Sequence, residues 1–156
     1  MKSESTDVLA GVVSEVFMAQ TFAFAAECAK EELEVPKRNC LKATIRFKGP
    51  EHGRLEMMLP CSIGTELAAN MLGVDVENRE AQDSATDAVK ELLNVVCGQF
   101  LTARFGSEPV FFLSLPQVEE VDLSVWQALA QARDSIGFML DEEPLLLRLS
   151  LEGKRP

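Results

Sequence analysis

The strongest constraint on this chain is a long amphipathic periodicity running from Asp83 to Phe105. At about 100° per residue, Ala85, Val89, Leu92, Val96, Phe100 and Ala103 fall on one arc, and that arc must face a core. Asp83, Asp87, Glu91, Asn94 and Gly98 fall on the opposite arc. Gly106 and Pro109 end the pattern. A helix with one apolar arc must bury it against another layer, which the remaining segments have to supply.

Those segments read mostly as sheet. Leu41 to Lys48 alternates apolar and polar residues, as a half-buried strand does. Gly49-Pro50-Glu51-His52-Gly53 turns the chain, and Arg54 to Leu59 returns as a second strand. A short helix opens over Pro60 to Ile63, with Ser62 or Thr65 available as its cap, and ends at Gly73 after Met71-Leu72. Val74 to Gln82 is an acidic loop. Val110 to Leu115 reads as a short strand and Val125 to Ala132 as a helical turn. Ile136 to Leu140 and Leu145 to Leu151 flank Asp141-Glu142-Glu143-Pro144 as a closing hairpin. The opening segment, Asp7 to Glu34, reads as one helix stopping near Pro36. The predicted class is α+β: a largely antiparallel sheet with packed helices, in one domain over residues 1–156 with a core at about 7–152.

Composition narrows the partners. The chain of 156 residues has a formal net charge of -10, and its basic residues are scattered. Nucleic acid and anionic membrane surfaces are therefore not expected, because both need a basic footprint. The run from Val8 to Ala29 is apolar, but Glu15, Gln20, Thr21 and Glu27 make it a poor membrane span. Met1 to Asp7 lacks the order of a secretory signal. Cys28, Cys40, Cys61 and Cys97 form no C-x-x-C pair and read as reduced thiols of a cytoplasmic protein. His52 is the sole histidine and lies in a turn, so neither a Ser-His-Asp site nor a zinc site is indicated.

The polar arc of the long helix carries the chemistry. Glu91 and Asn94 are three residues apart and so are neighbours on the helix surface. Gly98 lies one turn beyond, where a glycine costs about 1 kcal/mol relative to Ala, which close approach of another backbone or protein would explain. The segment Asp87-Ala88-Val89-Lys90-Glu91-Leu92-Leu93-Asn94-Val95-Val96-Cys97-Gly98-Gln99 resembles the signature helix of the CheC/CheX/FliY chemotaxis phosphatases: E-x-x-N, then Gly four residues later. Leu59-Pro60, the helix ending Asn70-Met71-Leu72-Gly73, the acidic loop after it, Leu115-Pro116-Gln117-Val118 and the last hairpin fit the same family. The resemblance spans about Val8 to Leu151, and a single intact motif makes it CheX-like rather than CheC-like.

The resemblance implies a pseudo-duplicated CheC/CheX-like fold and a phosphatase that hydrolyses the aspartyl phosphate of a CheY-like response regulator. Glu91 would pair with the regulator's Lys, and Asn94 would orient the attacking water. Asp87 and Gly98, on the same face, are candidate partner contacts. No cofactor of its own is implied; the Mg²⁺ would belong to the regulator. The pseudo-symmetric position on the first helix reads Glu15-Val16-Phe17-Met18, where Met18 is expected in the core. Glu66 and Asn70 form a decoy, spaced four apart rather than three. The alternative is a non-catalytic CheX-like binding module of a flagellar or signalling complex. CheX-like proteins pair by joining sheet edges, so a homodimer is expected, with Leu145 to Leu151 either the open edge or an already paired central strand.

Overall fold

The computed structural model describes residues 3–154. α1 (Glu4–Thr21) is capped by Ser3, whose side chain accepts from the Thr6 amide. β1 (Ala25–Cys28), a 3-10 turn (Lys30–Glu32), β2 (Cys40–Lys48) and β3 (Glu51–Pro60) follow. Then come α2 (Cys61–Leu72), α3 (Arg79–Asp83), α4 (Ala85–Phe105), β4 (Phe112–Leu113) and β5 (Gln117–Val121). The chain closes with α5 (Leu123–Gln131), β6 (Ser135–Leu140) and β7 (Glu143–Lys154). The strand order is β1-β6-β7-β3-β2-β4, with β5 also pairing with β2, and every pairing is antiparallel. The expected α+β class is what the structure adopts.

The main core lies between one sheet face and α1, α2 and α4. It joins Leu9, Val13 and Phe17 to Leu92, Val96 and Phe100 above Ile45, Leu55, Leu147 and other strand residues. Side chains of this size each stabilise by roughly 1.5–3 kcal/mol when fully buried. α5 covers part of the opposite sheet face, setting Trp126 and Leu129 on Cys40, Met58 and Leu146. That is the role of the stretch expected to be a helical turn. It also explains the unbroken apolar run of β7, which is buried on both faces where α5 crosses it.

Several expectations are corrected. The opening helix stops at Thr21, because Phe22 takes a left-handed conformation (φ 62°) and its amide donates to the Met18 carbonyl. Asn70 holds that end by donating from its amide nitrogen to the Thr21 carbonyl at 2.9 Å. No glycine announces this break, and residues 25–28 continue as a strand against β6. Of the two alternatives left open for Leu145 to Leu151, the structure adopts the paired central strand, with β3 and β6 on either side of β7. The open edges among the described residues are β1 and the β4–β5 segment. α2 begins at Cys61 behind Pro60 with no side-chain cap, so neither Ser62 nor Thr65 serves there. The acidic loop carries α3, and β5 occupies residues to which the sequence reading assigns no element.

Candidate functional site

α4 is fixed by what lies beneath it. Val89, Leu92, Leu93, Val96, Cys97 and Phe100 are fully buried, and Ala85, Ala88 and Leu101 nearly so. Asp87 in the first turn and Arg104 in the last complement the helix dipole. Ala103, expected on the core arc, is exposed, because the true arc drifts toward Leu101 at the helix end. The helix starts at Ala85, since Ser84 interrupts it, and Asp83 closes the preceding α3.

On the outer face, Asp87, Glu91 and Asn94 are exposed and Gly98 is half-buried. Glu91 and Asn94 sit about 5–6 Å apart at Cβ, as their spacing requires. Among the described residues, none of the Asp87, Glu91 and Asn94 side chains has a hydrogen-bond or ion-pair partner. A Cβ added at Gly98 would meet nothing within 4 Å, so no element of this chain demands a glycine there. What the face offers is a carboxylate and a carboxamide, unengaged, on a rigid support with low relief one turn away. An open helix surface excludes no water by itself. Chemistry here requires a partner that brings the cavity.

α1 packs beside α4 and presents a second outer face. Glu15 and Met18 are both exposed there, Met18 at 45%. Met18 is thus not a core residue; Leu9, Val13, Val16 and Phe17 fill the inward positions. Asn70 of the decoy pair is engaged in holding the end of α1.

Burial pushes the Cys97 thiol up to about 12 and the Cys40 thiol, with Cys61 nearby, to about 11. All four cysteines are free thiols. Among the described residues, no cluster of His, Cys, Asp and Glu is arranged to hold a metal ion, and no helix is long and apolar enough to cross a membrane.

Two features escaped the sequence reading. A cleft of about 890 Å³ is lined by Glu66, Asp75, Asp141, Glu142 and Glu143 beside Phe24. The Glu66 carboxyl is raised above the usual range, first by burial and then by Glu143 and Asp141. These residues come from separate segments, and only tertiary structure gathers them. The other feature is a pocket of about 320 Å³ containing Arg46, Lys48, His52 and Phe112. Strand alternation places Arg46 and Lys48 on one face, but the approach of Phe112 has no sequence signal.

No curated protein sequence matches the chain significantly. Solved structures match closely in fold. A CheX from Desulfovibrio desulfuricans superposes with a TM-score of 0.69 at 17% identity, covering 96% of this chain and 100% of that one. CheX from Vibrio vulnificus gives 0.70 at 16% identity, covering 96% and 100%. A CheX–CheY–BeF3–Mg²⁺ complex from Borrelia burgdorferi gives 0.68 at 12% identity, covering 97% and 100%. The family model for the chemotaxis phosphatase CheX matches residues 41–124, more than half of the chain, including Glu91 and Asn94. With that match over the segment that builds the outer face of α4, the chain belongs to the chemotaxis phosphatase CheX family.

Proposed function

We propose that this protein hydrolyses the aspartyl phosphate of a CheY-like response regulator in chemotaxis or related two-component signalling. The observation that carries the reading is the placement of Glu91 and Asn94: adjacent, exposed and unengaged on the outer face of a helix buried along its other side. The Borrelia burgdorferi CheX bound to CheY supports a regulator of that kind as the partner.

The mechanism follows from what these groups can do. The Asn94 carboxamide both donates and accepts, so it can hold a water in line with the phosphorus once inserted in the regulator's site. Phosphoryl transfer depends mainly on positioning and charge stabilisation, so one well-placed amide is a sufficient contribution from this chain. Glu91 pairs with the regulator's Lys and fixes the insertion. Asp87 and Gly98 flank the pair; Gly98 leaves room for the partner's backbone. The Mg²⁺ belongs to the regulator, and this chain supplies no cofactor. Such a partner places the protein in the cytoplasm.

A homodimer joined through a sheet edge is part of the same reading, with β1 and β4–β5 the candidate edges because β7 is interior. The test of function is a dephosphorylation assay on the phosphorylated receiver domains of the source genome. Acceleration of at least one supports the reading. Binding without acceleration favours the non-catalytic module.

A further inference from the structure

The sheet face opposite α4 carries a locally basic end in an otherwise acidic chain. Cross-strand pairing sets Arg46 directly opposite Arg54, an arrangement that like charges disfavour. Lys48 lies beside them on the same face, two residues from Arg46. The acidic compensation is thin. Glu56 lies 3.4 Å from Arg54, but it also serves Lys42 at 3.2 Å. Glu152 is shared between Arg46 at 3.7 Å and His52 at 3.8 Å, too long to be hydrogen-bonded to either. Lys48 has no ion-pair partner among the described residues. Nδ1 of His52 is buried with no hydrogen-bond partner.

Of these groups, Arg46, Lys48 and His52 line a pocket of about 320 Å³ together with the shared Glu152, within the size range of small-molecule sites. Its wall is held rigidly. Gly49 allows the segment before β4 to close over the β2–β3 turn; a Cβ there would lie 2.7 Å from the Val110 carbonyl oxygen. Phe111 is anchored inward, its ring 5.5 Å from that of Phe105 and 6.2 Å, edge-on, from that of Phe47. Alternation then turns Phe112 outward on the same face as Lys48, its pairing partner, and leaves it 66% exposed. Among the described residues, nothing covers that ring. The pocket therefore combines surplus cationic donors with an uncovered aromatic face.

We propose that the pocket between β4 and the β2–β3 turn binds a small organic anion, a phosphate or carboxylate carried on an aromatic or apolar body. Arg46 and Lys48 hold the anion, and Phe112 packs on the body. The charge pattern selects an anion, and the aromatic ring selects one with an apolar part over a bare inorganic ion.

The test uses phenyl phosphate and benzoate as probes against inorganic phosphate and benzyl alcohol, read by amide chemical shifts of the full chain. The expected result is saturable shifts at Gly53, Leu113 and Ser114 with phenyl phosphate or benzoate. Binding should exceed that of inorganic phosphate and of benzyl alcohol by about tenfold or more, the change that roughly 1.4 kcal/mol produces. Lys48→Gln and Phe112→Ser, both at exposed positions, should each weaken it by a similar factor with unchanged melting temperature. No saturation, shifts centred elsewhere, equal binding of inorganic phosphate, or variants that bind like the parent would overturn the proposal. A second copy on this edge is the competing occupant. Phe112→Ser that lowers the sedimenting mass while leaving probe binding unchanged assigns the ring to that contact and also overturns it.

Discussion

Arg104, near the end of α4, donates from Nε to Oγ of Ser5, near the start of α1, at 2.9 Å. Arg104 also lies 3.8 Å from Glu4, so the two packed helices run antiparallel. Counting from that contact at about 1.5 Å per residue sets Gly11 level with Gly98, Glu15 with Asn94, and Met18 with Glu91. The two outer faces are matched position for position, yet only α4 offers a carboxamide. A thioether cannot orient water as an amide can.

Met18→Ala should therefore leave turnover per folded molecule close to that of the parent. Because Met18 is 45% exposed, its stability change should also be small, within about 0.5 kcal/mol. Chemical denaturation and a turnover assay check both parts. A large loss of turnover at unchanged stability would make α1 an active surface.

Glu91→Ala should mainly weaken partner binding. Removing one member of a desolvated ion pair typically costs about 2–5 kcal/mol. The regulator concentration giving half-maximal rate should rise steeply while stability holds, since the Glu91 side chain is exposed and has no hydrogen-bond or ion-pair partner among the described residues. An unchanged concentration dependence would remove the pairing role.

Glu66→Gln should raise the melting temperature near neutral pH. Burial first, then Glu143 and Asp141, lift the Glu66 carboxyl above its ordinary range. A folded-state value above the unfolded one means the folded protein binds the proton more tightly. Ionisation of Glu66 thus erodes stability as pH rises through that range. The gain from the amide should disappear below the ordinary carboxyl range, where both states are protonated. A gain that persists in acid would point to packing instead of charge.

Thiol labelling should separate the cysteines. Cys40 and Cys97 are buried, with thiols pushed to about 11 and 12. They should resist alkylation in the native state and react on unfolding, while half-buried Cys28 and Cys61 react first, slowly. Mass spectrometry of a labelling time course checks this; early labelling of Cys97 would mean that α4 opens locally.

The sequence made the long helix, both hairpins and the polar arc legible because each rests on local periodicity. Glu91, Asn94 and Asp87 are exposed where the wheel put them, for that reason. What local pattern could not show was set by tertiary contacts. The end of α1 depends on Phe22 in a left-handed conformation and on Asn70 from another helix. The interior position of β7 depends on β3 and β6 flanking it, which an apolar run alone does not decide. Met18 was misplaced because its residue type suggested core, while its helical phase pointed outward with Glu15.

The most direct test of the central claim is the decay rate of a phosphorylated CheY-like regulator with parent protein and with Asn94→Ala. Asn94 is exposed, so its truncation opens no cavity and the fold should persist. Loss of one positioned polar group should slow catalysed decay by about 10²-fold or more, with binding largely retained. A variant that still binds and accelerates decay as the parent does would contradict the account.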